Sequence, residues 1–384
     1  MKKNILFIES RYNSFYGAQK SMLQLIKALD TEYFDYKIVT TEEGNLKKGF
    51  NKENINVDIV KLGYKANVFG GKVLNYSFVD KLIVLIQVII LNFKILSYIN
   101  RHKIDYIYVN DSRSMLYSII ASKLLNKKII WYIRSDVTNS RITRFSFKHA
   151  NQIITIAKGV LKDLPVDFIR EHKDKITNIY TGFDFDKFKL IEREEAKKKL
   201  DILPGRKVIG YLGSINYRKG IDLLVESFIE MARRDESLEL LIVGDVSEGH
   251  EEYWDELIDK LNRSRVNYKY IPYTSEVSKI YCSMDIFVLP SRAEGLPRVV
   301  IEAMAHKVPV VSTNVGGVRE IIVDGENGFV IKENQSKELN EALETIIEDE
   351  QLSKGLSKAA YEQIKYKFSL KEFNENINKL LKNM

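Results

Sequence analysis

Two glutamates and a basic pair are the residues of this sequence best placed to do chemistry. The first constellation is Glu294-Gly295-Leu296-Pro297-Arg298-Val299-Val300-Ile301-Glu302, two carboxylates separated by seven residues. Glu294 falls in a loop after an apolar strand that ends at Leu289-Pro290, and Glu302 falls roughly one turn into the next helix. Both then face the C-terminal edge of a parallel sheet, where open α/β folds bind ligands. A loop carboxylate there can accept hydrogen bonds from sugar hydroxyls. A helix carboxylate can accept the two hydroxyls of a ribose. The N–H groups of Gly295 and Leu296 can touch a sugar or a phosphate. The plainer alternative is a pair of solvated surface glutamates.

The second constellation is Gly213-Ser214-Ile215-Asn216-Tyr217-Arg218-Lys219-Gly220, between a strand and a helix. A glycine turn running into a helix N-terminus presents backbone N–H groups and the positive end of the helix dipole. Arg218 adds a planar fork and Lys219 a point charge. Such a loop suits a diphosphate. A third segment, Asn314-Val315-Gly316-Gly317-Val318-Arg319-Glu320, again joins strand to helix, and its glycines permit close backbone approach. It and the turn Asp324-Gly325-Glu326-Asn327-Gly328 read as architecture.

Positioning these residues requires strands and helices in alternation, and the sequence supplies them. Short apolar runs occur at 4–9, 36–40, 105–109, 129–133 and 152–156, and again at 208–212, 238–243, 266–271, 286–289 and 308–312. Helical patterns fill the gaps, which is the signature of parallel α/β units. Two such series imply an α/β protein of two doubly wound, Rossmann-like domains facing a central cleft. The boundary is expected near 184–192, giving domains 1–185 and 186–368, with a closing segment 369–384. One apolar stretch, 78–99, carries an uncharged run from Leu82 to Phe93, shorter than the ~20 residues a membrane span needs. On a helix, Asp80, Lys81, Gln87, Asn92, Lys94 and Ser97 gather on one side. The stretch reads as a core helix in preference to a membrane-contact helix.

The chain has 384 residues, 45% hydrophobic and 29% charged, a length that suits two domains. Glu9 interrupts the apolar run after Met1-Lys2-Lys3 too early for a signal peptide, so a cytoplasmic protein is expected. The single cysteine, Cys282, forms no internal disulfide and reads as a buried packing residue, and no Cys/His cluster has zinc spacing. The net charge of +7 is uneven: residues 1–185 hold 29 basic and 17 acidic side chains, about +12, and the remainder about −5. A basic first half can meet an anionic membrane or acceptor. No nucleic-acid reading motif accompanies it, and no G-x-G-x-x-G follows a strand as an NAD dehydrogenase would require.

Taken together, Pro290-Ser291, Glu294 to Glu302, Ala303-Met304-Ala305, Pro309-Val310-Val311, Gly316-Gly317 and Asn327-Gly328 resemble glycosyltransferase family 4, the retaining, GT-B group 1 enzymes. The family's E-x7-E motif matches Glu294 and Glu302, and its Lys-Gly element matches Lys219-Gly220. Val243-Gly244-Asp245 and Ile179-Tyr180-Thr181-Gly182-Phe183-Asp184 fit its pattern too. The resemblance covers nearly all of the second half and, more weakly, the first. It implies that Arg218 and Lys219 hold the donor diphosphate and stabilise the leaving nucleotide, beside Gly213. It implies that Glu302 binds the ribose and that Glu294 contacts the sugar and orients the anomeric carbon. Tyr16-Gly17-Ala18 resembles the family's N-terminal glycine loop, so Gly17 would approach the phosphate. The helix 370–382 would fold back on the first domain. The sequence departs from the family at Ser214, where an arginine is common, at Ala157, where serine is usual, and at Arg134, near the place of a histidine. Arg134 could supply charge to the acceptor or the phosphate. Its high pKa makes it a poor base.

The expected activity is transfer of a hexose from a nucleotide-sugar, a UDP-sugar by preference, to a hydroxyl acceptor. The acceptor would be a saccharide or lipid-linked saccharide of surface polysaccharide synthesis, met at the inner face of the membrane. No metal and no resident cofactor are expected: Asp184-Phe185-Asp186 has the spacing of a manganese motif but sits in the family's interdomain turn. The alternatives are a GT-B nucleotide-sugar epimerase and a non-catalytic GT-B scaffold or binding protein.

Overall fold

The computed structural model describes residues 2–68 and 72–384. It divides into two compact units. One comprises residues 1–156, 160–181 and 373–384; the other comprises 157–159 and 182–372.

The first unit is built on β1 (Lys3–Glu9), β2 (Phe34–Thr40), β3 (Asp58–Ile59), β4 (Tyr106–Val109), β5 (Lys128–Ile133), β6 (Gln152–Thr155) and β7 (Ile176–Asn178). Their order in the sheet is β3-β2-β1-β4-β5-β6-β7, and every pairing is parallel. A parallel sheet is covered on both faces, so its strands must be apolar almost throughout. Ile5 to Ile8, Tyr106 to Val109 and Ile129 to Ile133 are accordingly all buried. Phe7 meets Tyr108 at 4.6 Å between ring centres, and Trp131 meets Phe147 edge-on at 5.4 Å.

The second unit carries β8 (Lys207–Leu212), β9 (Leu238–Val243), β10 (Tyr268–Ile271), β11 (Ile286–Leu289), β12 (Val310–Thr313) and β13 (Phe329–Ile331), in the order β10-β9-β8-β11-β12-β13, again all parallel. In each sheet the chain builds outward from its first strand, then returns to the other side of it. The reversal falls between β1 and β4 and between β8 and β11. Loops leaving neighbouring strands part there, opening a crevice at the carboxyl ends.

The apolar runs expected as strands are all strands, with ends moved by a few residues. The run expected from 266 begins at Tyr268, because Arg265 closes the preceding helix in the left-handed region (φ 54°). β3 and β7 escaped notice because they are two- and three-residue edge strands, half-buried and without an apolar run. The last helix, Leu370–Lys382, buries Phe373, Ile377 and Leu381. Within the first unit, Asn378 accepts from the Asp30 N–H at 2.8 Å and donates to the Ala28 carbonyl at 2.7 Å.

One expectation fails. Helix Phe78–Arg101 is not a core helix: it buries only Leu91, Asn92, Ile95 and Ile99. Asn92, which a helical projection puts with the solvated residues, points inward. Its amide donates to Leu116 O at 2.9 Å and accepts from Ile120 N–H at 3.0 Å, both on the neighbouring helix Ser112–Leu124. The helix thus has a narrow protein-facing seam that contains a polar residue, and a broad apolar face that the described residues leave uncovered. Asn92→Ala is predicted to lower stability by about 1–2 kcal/mol, and Ile90→Ser to change it by less than about 0.5 kcal/mol, read by urea unfolding. A larger cost at Ile90 would mean that the outer face is packed.

Candidate active site

After β8 the chain bends through residues 213–216, makes one tight turn at Tyr217–Lys219 and enters helix Ile221–Ala232 at Gly220. Gly220 has φ +65°, and a Cβ on it would lie 2.0 Å from the Pro290 carbonyl oxygen. Only glycine permits that backbone and that approach. The loop is thereby pressed against the segment that leaves β11. Arg292 N–H donates to Arg218 O at 2.8 Å, Arg292 Nη1 to Tyr217 O at 2.7 Å and Arg218 Nη1 to Ala293 O at 2.6 Å. A third strand-to-helix loop closes on the same place. Gly316 has φ +51°, and a Cβ there would sit 2.0 Å from Glu294 O. Gly317 N–H donates to Gly295 O at 2.6 Å.

This packing brings unlike charges together at the β8/β11 reversal. Lys219 Nζ lies 2.6 Å from Glu294 Oε1, which also accepts from Ser291 Oγ at 2.7 Å. Arg218 Nη1 stands 3.8 Å from Glu294 Oε2. The side chains of Lys219 and Glu294 are only 14% and 10% exposed, whereas Arg218 is 53% exposed. Lys219 is therefore the sheltered cation and Arg218 the solvent-facing one. Tyr211 is fully buried beneath them, and burial and then the Glu294 charge push its phenol well up. Its hydroxyl donates to Ser214 O at 2.9 Å. Gly213 spends its N–H on Val243 O at 2.9 Å, so what it offers a ligand is the absence of a side chain.

Glu302 lies on helix Arg298–Ala305, the one that Glu294, Gly295 and the buried Leu296 lead into. Tyr281 donates to it at 3.1 Å, and Arg298 lies 3.7 Å from its other oxygen, one turn back on the helix. Burial and then the Glu302 charge raise the Tyr281 phenol. Lys219, Arg218 and Glu294 thus form one cluster, while Glu302 has its own partners further along the helix. Asp184 pairs with Lys187 at 3.2 Å in its turn.

Two residues of this site carry no sequence signal. Arg292 grips Asp222 with both terminal guanidinium nitrogens, at 2.9 and 2.6 Å, and stacks 4.0 Å over the Tyr217 ring. Tyr253 OH adds a bond to Asp222 at 2.7 Å. Asp222 sits in the first turn of the helix after Gly220, so this fork ties that helix start to the loop carrying Glu294. Burial alone would raise the Asp222 carboxyl, but the bonds from Arg292 and Tyr253 and the Arg292 charge outweigh it and hold the carboxyl below its ordinary value.

Gly17 and Arg134 belong to the first unit. Gly17 opens helix Gly17–Ala28, and a Cβ there would meet nothing within 4 Å. Arg134 donates to Asn110 Oδ1 at 3.1 Å, to Tyr108 OH at 2.8 Å and to Ser21 Oγ, and lies 3.8 Å over the Tyr132 ring. Asn110 in turn donates to Glu9 at 2.8 Å. Glu9 is completely buried, and burial, then the neighbouring Asp111 charge, raises its carboxyl. A cavity of about 560 Å³ lies at the β1/β4 reversal, lined by Ser10, Arg11, Tyr16, Asp111 and Arg113 among others.

The family model of the glycosyl transferases group 1 matches residues 192–363. Among curated proteins, the chain is 31% identical over 223 residues to the capsular polysaccharide biosynthesis glycosyltransferase CapM of Staphylococcus aureus, a match spanning 57% of this chain and 58% of CapM. It is 28% identical over 354 residues to an uncharacterized glycosyltransferase of Haemophilus influenzae, spanning 91% and 92% of the two chains. Among solved structures, Anabaena HepE in complex with UDP superposes over 100% of both chains with a TM-score of 0.81 at 20% identity. That likeness is one of fold, and the fold is GT-B.

In the second unit the Arg292–Asp222 fork gives a stability signature. Arg292→Ala is predicted to cost about 2 kcal/mol near neutral pH, typical of hydrogen bonds to a charged, part-buried group. Because the folded carboxyl is depressed, that contribution is full above the ordinary aspartate value of about 3.9. It is lost as pH falls through the lowered folded value. Urea unfolding of both proteins against pH reads the difference; a gap that stays constant into acid would contradict the pairing.

Proposed function

We propose that this chain is a retaining glycosyltransferase that moves a hexose from a UDP-hexose to a hydroxyl of a saccharide or lipid-linked saccharide. The step would belong to surface polysaccharide assembly at the inner face of the cell membrane. The observation that carries the reading is the Lys219–Glu294 contact at the β8/β11 reversal, 2.6 Å long and sheltered from solvent. UDP, UDP-glucose and glucose are named as ligands of Anabaena HepE, which has the same fold. CapM lends the polysaccharide context. Retention of configuration rests on the family 4 resemblance.

In this reading the bond from the anomeric carbon to the β-phosphate oxygen breaks and its electron pair goes to the departing UDP, while the acceptor hydroxyl oxygen bonds that carbon and its proton passes to the released phosphate. Charge develops on the diphosphate, so fixed cations beside it lower the barrier. An ammonium has three N–H groups. Lys219 can hold Glu294 with one and still donate to a phosphate oxygen. Arg218, at the solvent edge, adds a planar donor fork. Glu294, oriented by Lys219 and Ser291, accepts from sugar hydroxyls and fixes the anomeric carbon, with the Gly295 and Leu296 backbone alongside. Glu302 accepts the ribose hydroxyls, its orientation held by Tyr281 and Arg298. The cavity at the β1/β4 reversal is the proposed acceptor site. Arg134 is a positioning residue there, spending its donors on the Asn110–Glu9 network. Gly17 offers an open helix start near Tyr16.

Two measurements test the reading. Lys219→Ala and Glu302→Ala should each weaken UDP-hexose binding about tenfold or more, or about 1.4 kcal/mol, by calorimetry, with the folded state retained. Unchanged affinity in both would remove the assignment. Transfer, followed by NMR of the anomeric proton, should proceed with retention and at full rate in excess chelator. Loss of activity restored by Mn²⁺ would instead put Asp184 and Asp186 in a metal site. Conversion of the donor sugar without any acceptor would mark an epimerase.

A further inference from the structure

We propose that the uncovered face of helix Phe78–Arg101 docks the first unit onto an anionic lipid surface, with the helix lying in the headgroup region parallel to the bilayer. The proposal stands independently of the catalytic reading.

Phe78, Val79, Leu82, Leu85, Ile86, Ile90 and Phe93 are all between 48% and 84% exposed. Their spacing of three and four residues puts them on one stripe of the helix. From Phe78 to Phe93 that stripe runs for about 22 Å at 1.5 Å per residue. No charged residue interrupts the sequence from Leu82 to Phe93. Soluble surfaces rarely carry a continuous apolar stripe of this length without a partner.

Length and composition would also let this helix cross a membrane, but its inner seam argues against crossing. Leu91, Ile95 and Ile99 are buried, and Asn92 is bonded across to helix Ser112–Leu124 on both its donor and its acceptor side. A spanning helix would have to abandon those contacts. One that lies on the surface keeps them and inserts only its outer face.

The charges around the stripe choose the occupant. Lys81, Lys94 and Arg101 are exposed along the helix. The helix's only acidic residue, Asp80, is already bonded to Lys65 and Ser77. From residue 61 to 124 the sequence holds nine basic and three acidic side chains and no glutamate. A second copy of the chain laid against this face would set lysines near lysines. Anionic headgroups meet the same lysines favourably while the acyl boundary takes the apolar stripe.

The test is flotation of the full chain with phosphatidylglycerol-containing and with pure phosphatidylcholine vesicles, alongside sedimentation velocity without lipid. The variants are Leu82→Ser/Ile86→Ser/Ile90→Ser and Lys81→Glu/Lys94→Glu; melting curves matching the wild type keep the comparison interpretable, since all five side chains are exposed. The wild type should float with the anionic vesicles, and each variant should bind them about tenfold or more weakly. The lysine variant should lose the preference for anionic over neutral lipid. Equal flotation of wild type and the apolar variant overturns the proposal. So does a wild type that ignores vesicles, or a dimer abolished by the apolar variant, which would assign the face to a second copy.

Discussion

A lysine and a glutamate 75 positions apart meet at 2.6 Å because two parallel strands from opposite arms of one sheet lie side by side. β8 and β11 send their loops in different directions, and everything at the site follows from how those loops are made to converge. Gly220 lets the first loop touch the Pro290 carbonyl. The Gly316-Gly317 turn lets a third loop close against Glu294 and Gly295. Arg292 and Asp222 fix the helix start to the same segment. Leaving a part-buried carboxylate unpaired is costly, and the ammonium, with Ser291 and Arg218 beside it, offsets that cost. The ion pair is therefore both a product of the packing and a reason that the loops cannot drift.

In the proposed reaction the same geometry would keep a cation ready beside an anionic leaving group. Lys219 is oriented by Glu294, and in that proposal the donor diphosphate and the donor sugar would meet two ends of one contact. Glu302 is supported separately, by a phenol and a guanidinium, so the proposed ribose contact would not depend on the charged centre.

The sheets and the E-x7-E loop were legible because their physics is local. A strand buried on both faces has to be a run of apolar residues, as Ile5 to Ile8 and Leu240 to Val243 are. A glycine turn between strand and helix carries its own signature, as around Lys219. What could not be read depended on partners distant in sequence. Arg292 and Asp222 lie 70 residues apart and neither sits in a pattern of its own. The Glu9–Asn110–Arg134 network joins three strand ends that only the sheet order makes neighbours. Helix Phe78–Arg101 departs from its sequence expectation for a related reason: periodicity reports which residues share a face, but not whether any protein covers it. Asn92 has a buried acceptor and donor waiting on another helix, and no local rule reveals that.

Lys219 and Glu294 are proposed to form a nucleotide-sugar site. The direct measurement is a thermal-shift panel of UDP-, GDP-, ADP- and dTDP-sugars on the wild type and on Lys219→Ala. Ligand at about 100 times its Kd should stabilise the wild type by about 2.7 kcal/mol. The wild type should shift with the UDP-sugar, and the variant should lose that shift. An equal shift in both proteins, or none with any nucleotide-sugar, would contradict it.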